Sequence, residues 1–261
     1  MKVMKNVVYH KDLNLKADIY QPETFERGLI DLHGGGWFRG SKEKEGAIAE
    51  KFAEAGFLVV VPDYRLAPEN LFPAALEDTL ASFDWAYEQY PELKGNWGAF
   101  GSSAGGNLSI ELALQRGIPA VSWSGIIDIA KWVHQHADVV AENTQKPNFD
   151  QQASALIDQD GANDPFYKWF ITNYAPDDQK LADATPLQRV STKSGPLYLA
   201  NSLREFVPLS GIYQLQKALA DNNVPNEVKL IEGTRHAEGY LEAAWTSSLA
   251  FLKQYIKKNK A

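Results

Sequence analysis

Residues 101–105, which read Gly-Ser-Ser-Ala-Gly, constrain this chain more than any other segment. They follow a strand-like run over residues 97–100 and precede a helix-like run over residues 107–114. A serine on a tight strand-to-helix turn is strained toward positive φ, and the turn closes only when the residues two before and two after it are small. Both positions hold glycine here. The pattern predicts a nucleophile at Ser103, with the N-terminus of the following helix directed at the place where an oxyanion forms.

Length and composition favour one large α/β domain that carries an insertion. The chain has 261 residues, and its 13 prolines and 19 glycines are spread along it instead of gathering in a linker. Its net charge of −7 argues against nucleic acid and anionic membrane surfaces as partners, because both require basic patches. The lysine-rich stretch at 253–260 is interpreted as the solvated end of a helix.

The chain has no cysteine, which excludes disulfides and thiol chemistry. Its N-terminus runs directly into a polar strand without the apolar core of a signal peptide, and no apolar run reaches the length of a membrane span. We therefore expect a cytoplasmic protein. The sequence leaves the oligomeric state open, and a homodimer is one possibility.

Short apolar runs rich in valine, isoleucine and leucine alternate with helix-length amphipathic segments. This alternation is typical of a mostly parallel sheet covered on both faces. Eight strands are predicted, over residues 2–9, 15–21, 28–32, 58–61, 97–100, 120–124, 197–200 and 228–231. Five helices are predicted, over residues 42–55, 73–90, 104–116, 208–222 and 239–258. The first two strands are interpreted as an antiparallel hairpin at one edge of the sheet.

About seventy residues separate the sixth predicted strand from the seventh, which is too long for a simple crossover. We predict that residues 129–186 form an inserted, largely helical lid and that residues 1–128 and 187–261 form the core. The lid region is rich in aromatic residues: Trp132, Phe149, Phe166, Tyr167, Trp169, Phe170 and Tyr174. Most of them are expected to form the lid's own small core, and the remainder to line a substrate pocket.

A glycine-rich loop, His-Gly-Gly-Gly-Trp at residues 33–37, follows the third predicted strand. Consecutive glycines expose backbone N–H groups, and acyl transfer needs such donors for the negative oxygen of its tetrahedral intermediate. We predict an oxyanion hole formed by the amides of Gly35, Gly36 and Ala104, with substrate contacts from Trp37 and Ser102. A phosphate cradle is the alternative, but no Gly-Lys-Ser/Thr and no complete dinucleotide pattern accompanies the loop.

Ser103 needs a base, and His236 is the best placed of the five histidines. It lies just beyond the last predicted strand and before the last predicted helix, so it can reach over the edge of the sheet. The other four lie on the edge hairpin, in the glycine-rich loop and in the predicted lid: His10, His33, His134 and His136. The histidine of the glycine-rich loop is expected to brace its turn. The pair in the lid is interpreted as surface histidines, since a metal site needs further ligands at suitable spacing.

Glu205 is the only carboxylate on the loop at residues 201–208, which follows the seventh predicted strand. A carboxylate at this place holds the tautomer of the imidazole and stabilises the imidazolium. Glu205 is therefore predicted to complete a catalytic triad. A surface ion pair with Arg204 is the alternative interpretation, and Asp183 and Asp128 are the alternative acids.

With these residues in place, the chain resembles the hormone-sensitive-lipase-like esterases of the α/β-hydrolase superfamily, which carry an HGGG loop. The resemblance rests on residues 33–37, on residues 101–106 and on Asp-Tyr-Arg-Leu-Ala-Pro-Glu at residues 63–69, and it spans nearly everything from residue 15 onward. It implies the α/β-hydrolase fold and the same nucleophile, base and oxyanion donors. It also implies that Asp63 and Arg65 brace the site from behind.

The chain departs from this family in two respects. The family places an aspartate in a Gly-x-x-Asp-x-Leu context, whereas residues 203–207 read Leu-Arg-Glu-Phe-Val. The family's long N-terminal cap helices are also missing from the sequence. A shallow acyl site suited to short chains is therefore expected.

These features predict a serine carboxylesterase that acts on small esters through an acyl-enzyme intermediate and needs no cofactor. An arylformamidase-like amidase with the same triad is the nearest alternative. A non-catalytic ligand-binding protein of this fold is a second alternative, but such proteins usually lose a member of the triad. A lipase acting at a lipid interface is disfavoured, because the predicted lid has no obvious exposed apolar helix.

Overall fold

Eight strands form a single sheet in a computed structural model that describes residues 1–144 and 161–256. The strands are β1 Lys2–His10, β2 Leu15–Gln21, β3 Arg27–Leu32, β4 Phe57–Pro62, β5 Trp97–Ser102, β6 Ala120–Trp123, β7 Leu197–Ser202 and β8 Asn226–Ile231. Their order across the sheet is β1-β2-β4-β3-β5-β6-β7-β8. In the described sheet the two antiparallel ladders join β2 to β1 and to β4, and the other five are parallel, so the predicted mostly parallel sheet and its edge hairpin are confirmed.

Helices cover both faces of this sheet. Within the described residues the α-helices are α1 Gly46–Glu54, α2 Ala74–Gln89, α3 Ala104–Arg116, α4 Ala130–Gln135, α5 Asp164–Tyr174, α6 Asp178–Ala184, α7 Ser210–Asp221 and α8 Leu241–Tyr255. The first predicted helix begins as a 3-10 turn at Lys42–Glu45, and the last is preceded by a 3-10 turn at Ala237–Tyr240. Residues 257–261, which include the end of the predicted last helix and much of the lysine-rich stretch, lie outside the described residues. No described helix is both long enough and apolar enough to cross a membrane.

The apolar strands build a core on each face, because successive side chains of a strand point to opposite sides. One face carries Ile30, Leu58, Val60 and Ala99, which pack with residues of α2, α3 and α7. The other face carries Leu29, Val59, Val61 and Phe100, which pack with residues of α1 and α8. Both faces of the central strands are therefore buried. This explains why these strands are continuous apolar runs, in which apolar and polar residues do not alternate.

The segment between β6 and β7 holds α4, α5 and α6 within its described residues. Its aromatic residues are largely buried, as Trp132 and Tyr167 show. Phe166 and Phe170 are also buried, and both line a cavity at the edge of the sheet. Phe149 lies outside the described residues. The boundaries of a lid at residues 129–186 stay a prediction.

The strand-to-helix turn at residues 101–105 owes its shape to contacts that only glycine permits. A Cβ atom on Gly105 would lie 1.9 Å from the carbonyl oxygen of Leu32 and 2.5 Å from that of His33. A Cβ atom on Gly101 would lie 2.1 Å from the carbonyl oxygen of Gly105. The turn therefore packs directly on the end of β3, and this contact places β5 and the glycine-rich loop side by side.

We expect Gly105→Ala to lower the free energy of unfolding by about 1–3 kcal/mol, because the added methyl meets backbone atoms that cannot move independently of β3. Gly46→Ala is the matched control, since its Cβ, at the start of α1, would approach only a side-chain atom, the Tyr20 hydroxyl, at 3.2 Å. Urea unfolding of both variants measures the difference. Equal unfolding free energies for the two would contradict the packing argument.

Candidate active site

Ser103 occupies the turn between β5 and α3 with φ 56° and ψ −119°, a strained conformation for a residue with a side chain. Two backbone hydrogen bonds hold it there. Its N–H donates to the Trp123 carbonyl at 2.8 Å, and its own carbonyl accepts from the Asn107 N–H at 3.1 Å. The conformation lifts the Ser103 hydroxyl away from the sheet and toward the cavity that the residue lines.

His236 follows β8, and its imidazole is paired with the predicted acid. The distance between His236 Nδ1 and Glu205 Oε2 is 2.5 Å. An ionised carboxylate only accepts hydrogen bonds, so Nδ1 carries the proton and donates it to this bond. Nε2 is then left as the acceptor, which is the tautomer that a general base requires. His236 and Ser103 line the same cavity.

Glu205 is buried and fully engaged. Besides the imidazole, its Oε1 accepts from the Ser202 N–H at 2.8 Å and from the Ser124 hydroxyl at 2.8 Å. Three donors thus satisfy a carboxylate that would otherwise be costly to bury. Because these hydrogen bonds fix the carboxylate, they also fix the position of the imidazole that is bonded to it.

The carboxylates of the two alternative acids accept hydrogen bonds from glutamine side chains. Asp128 Oδ2 accepts from Gln214 Nε2 at 2.6 Å, and the exposed Asp183 accepts from Gln179 Nε2 at 2.9 Å. The structure therefore brings Glu205 to the imidazole and places these aspartates in other contacts.

Ser124, which was not predicted as a site residue from the sequence, links Glu205 to the segment at residues 235–240, which we call the histidine turn. Its hydroxyl donates to Glu205 and accepts from the Ala237 N–H at 3.0 Å. Ser124 itself has a φ of 51°, just after the end of β6. Its position at the carboxyl end of a parallel strand was the available signal, because loops at that edge build the ligand sites of open α/β sheets.

The cavity beside Ser103 has a polar wall and an apolar wall. Residues 34–36 of the glycine-rich loop form part of the polar wall. The apolar wall consists of four phenylalanines: Phe38, Phe166, Phe170 and Phe206. The Phe206 ring also packs against the His236 imidazole, with ring centroids 4.4 Å apart. The shape suits a small apolar group next to a polar reacting centre.

The predicted oxyanion donors lie around the nucleophile. Gly35 and Gly36 have φ values of +117° and +59°, and both line the cavity. A Cβ on the neighbouring Gly34 would lie 3.3 Å from Ser103 Cβ, so the loop runs directly past the nucleophile. Ala104 is the first residue of α3, where a backbone N–H has no intrahelical acceptor. The arrangement is compatible with the predicted hole, whose three donors stay a prediction.

The structure corrects the assignment of Trp37 as a substrate contact. The residue is fully buried, and its ring stacks on that of Tyr174 with centroids 4.4 Å apart. Its positive φ of 60° turns the side chain into the core beneath α5 instead of toward the cavity. Ser102, the other predicted contact, does line the cavity, but its hydroxyl donates to Glu238 Oε1 at 2.7 Å.

His33 is a brace and not a base. Its ring stacks on Tyr64 with centroids 4.0 Å apart, and the Tyr64 hydroxyl donates to the His33 carbonyl at 2.8 Å. Burial lowers the pKa of His33 to about 4, so the imidazole is neutral at physiological pH. Behind the loop, Asp63 accepts from the Lys42 N–H at 2.9 Å, and the Arg65 guanidinium forks onto Asp78.

The two histidines of the predicted lid have ordinary partners. His134 contacts the exposed Asp178 at 3.1 Å, and His136 stacks on Trp132. Among the residues that the structure describes, no group of three or more histidine, aspartate or glutamate side chains is arranged to hold a metal ion.

Three buried acids interact with one another, and the second of them lines the cavity: Asp31, Glu45 and Glu238. Within the described part of the chain, neither oxygen of Asp31 has a hydrogen-bond partner, and Oε2 of Glu45 has none. Burial raises the pKa of Asp31 and of Glu45 well above their ordinary values, and the charge of Glu238 raises both further. This cluster was not predicted from the sequence, because its members are separated by up to 207 positions.

Known proteins resemble this chain in sequence and in structure. The family described as alpha/beta hydrolase fold matches residues 29–238. Carboxylesterase NlhH of Mycobacterium tuberculosis is 28% identical over 191 residues, which cover 69% of this chain and 57% of that protein. Carboxylic ester hydrolase LipN of the same organism is 32% identical over 186 residues, which cover 69% of this chain and 46% of that protein.

The chain thus spans about half of the length of these two relatives. Among solved structures, an esterase of Pyrobaculum calidifontis matches with a TM-score of 0.75 and 23% identity. That match covers 98% of this chain and 86% of the other. At this level of identity the structural likeness shows the fold.

We expect Asp31→Asn to stabilise the protein at alkaline pH. When the pKa of a carboxyl group is higher in the folded than in the unfolded chain, the folded protein loses stability as the pH rises above the ordinary pKa of that group. For Asp31 the ordinary pKa is 3.8. Each pH unit of that window corresponds to about 1.4 kcal/mol. The Tm of Asp31→Asn should therefore exceed that of the wild type at pH 8, and the difference should vanish toward pH 4.

The exposed Asp12, on the hairpin turn, provides the matched control, since Asp12→Asn should leave the pH dependence of Tm unchanged. A Tm lowered at pH 8 by Asp31→Asn would show that the folded protein uses an ionised Asp31.

Proposed function

The chain belongs to the α/β-hydrolase-fold family, as its resemblance predicted, and on that premise we propose that it is a serine carboxylesterase that cleaves short-chain acyl or acetyl esters. The observation that carries the proposal is the buried His236–Glu205 pair, which shares one cavity with a strained Ser103 and a glycine-rich loop. The esterase names of the relatives favour an ester over the activated amide of the alternative hypothesis.

The proposed reaction begins with attack of Ser103 Oγ on the ester carbonyl, while His236 Nε2 takes the hydroxyl proton. Glu205 stabilises the imidazolium that results. The amides of Gly35, Gly36 and Ala104 donate to the oxyanion of the tetrahedral intermediate. Collapse of this intermediate releases the alcohol, which takes the proton from His236 and leaves an acyl group on Ser103. Water, activated by the same imidazole, then releases the acid.

A short acyl chain is supported by the apolar wall of the cavity. Phe166 and Phe170 lie on α5, and Phe206 lies on the loop after β7 that carries Glu205. These three rings line the cavity beside Ser103. The same two rings of α5 support the proposal that residues 129–186 act as a lid.

A cytoplasmic location, the absence of nucleic-acid partners and a homodimer stay part of the proposal. The net charge of −7 supports the second of these.

Replacement of the nucleophile tests the function directly. We expect the wild type to hydrolyse p-nitrophenyl acetate and butyrate faster than the octanoate, and Ser103→Ala to lower kcat at least ~10⁴-fold, because no acyl-enzyme can form. Ser191→Ala, on the loop before β7, is the control that should retain the wild-type rate. Equal rates for the wild type and Ser103→Ala would refute the proposal, and an octanoate preference would refute its short-chain part.

The acid is tested by Glu205→Gln. We expect kcat to fall about 10⁴-fold with the fold retained, because an amide cannot stabilise the imidazolium or fix the required tautomer. Steady-state kinetics and circular dichroism measure the two effects. Asp183→Asn is the control, since that carboxylate is exposed and paired with Gln179. A Glu205→Gln variant within a few fold of the wild type would show that Glu205 is not the triad acid.

A further inference from the structure

One buried hydrogen bond joins the turn that carries the nucleophile to the turn that carries the base. Ser102, immediately before Ser103, donates its hydroxyl to Glu238 Oε1 at 2.7 Å. Glu238 lies two residues after His236, in the 3-10 turn Ala237–Tyr240. The exposed fractions are 2% for Ser102 and 9% for Glu238. The bond therefore connects two loops that are 136 positions apart in the sequence.

The other contacts of the histidine turn lead to different strands. The Ser202 hydroxyl donates to the Arg235 carbonyl at 2.6 Å, and Glu205 holds the ring, so both contacts tie the turn to β7 and its loop. Ser124 ties it to the end of β6 through the Ala237 N–H. These contacts fix His236 relative to its acid. The bond from Ser102 fixes the same turn relative to β5, which carries the nucleophile.

We propose that Glu238 is a positioning residue, which accepts a hydrogen bond from Ser102 and thereby sets the separation between the His236 imidazole and the Ser103 hydroxyl. The proposal rests on the proposed hydrolase function of Ser103 and His236. Proton transfer between them requires a heavy-atom distance of about 2.6–3.2 Å, and a misplacement of about 1 Å can lower a rate about 10²-fold. A tie between the two turns therefore bears directly on the rate.

The chemistry of the surroundings favours a charged acceptor at this place. A hydroxyl that donates to an ionised carboxylate makes a shorter and stronger hydrogen bond than one between neutral groups. Asp31 and Glu45 lie close enough for the charge of Glu238 to raise the pKa of both. Neighbouring buried carboxyl groups do not all ionise, because their charges repel. A hydrogen-bond donor favours the ionised form of the carboxyl group to which it donates. Ser102 donates to Glu238, whereas neither oxygen of Asp31 has a hydrogen-bond partner among the described residues, so the geometry favours Glu238 as the charged acceptor.

The experiment combines Ser102→Ala, Glu238→Ala and the double variant in steady-state kinetics on p-nitrophenyl butyrate. Each single variant should lower kcat about 10- to 100-fold and change KM less than about threefold, because the Ser102 hydroxyl is engaged by Glu238 and the phenylalanines of the cavity stay in place. The double variant should be no slower than the worse single one, since both remove the same bond. Glu238→Gln, which keeps an acceptor oxygen, should restore most of kcat. Glu242→Ala, an exposed acid on α8, is the control and should match the wild type.

A second readout uses the Ser103 hydroxyl directly. Covalent labelling of Ser103 by a fluorophosphonate, followed by mass spectrometry, should slow by the same factor in Ser102→Ala and Glu238→Ala. If Ser102→Ala, the mildest of the variants, keeps the wild-type kcat and labelling rate, the proposal is overturned. Losses that add in the double variant, or a lowered Tm with unchanged kcat, also overturn it. Absence of ester turnover above the Ser103→Ala background refutes the proposed function instead, and the labelling rates then still decide the role of Glu238.

Discussion

The contact between the backbone of Gly105 and the carbonyl of Leu32 is the constraint on which the rest of the site depends. Because a Cβ atom at position 105 would lie 1.9 Å from that carbonyl oxygen, no other residue fits there without a shift of β3. Leu32 ends β3 and the glycine-rich loop begins at the next residue, so this contact also fixes where the loop starts relative to Ser103. The same backbone approach therefore fixes the position of Ser103 and of the neighbouring loop that is predicted to donate to an oxyanion.

Around this fixed point the site is held by buried polar bonds from the ends of three strands. Glu205 and Ser202 act from the end of β7, Ser124 from the end of β6 and Ser102 from the end of β5. Burying such groups is favourable only when each donor meets an acceptor. The network therefore specifies one arrangement of the histidine turn, because any displacement leaves buried groups unpaired. Asp31 lies outside this network, since both of its oxygens lack partners among the described residues.

The sequence was sufficient for the parts of the fold and site that depend on local pattern. The central strands follow from apolar runs, and the turn at Ser103 follows from two glycines at fixed spacing. Trp37 was assigned wrongly because loop proximity says nothing of side-chain direction, which here depends on a φ of 60°. Ser124 and Glu238 were missed for a different reason. Their roles arise from pairings across more than eighty positions, which neither periodicity nor spacing encodes.

The choice of glutamate at position 205 has a physical consequence for the neighbouring loops. A glutamate carries one methylene more than an aspartate, so its carboxylate reaches farther from the backbone and has more rotamers to lose on burial. Here the extra reach is fixed at Oε1 by the Ser202 N–H and by the Ser124 hydroxyl, while Oε2 meets the imidazole. Ser124 also holds the histidine turn at Ala237, so a single hydroxyl orients acid and base together. The longer acid thus reaches the imidazole with its carboxylate fixed by a donor from a neighbouring strand.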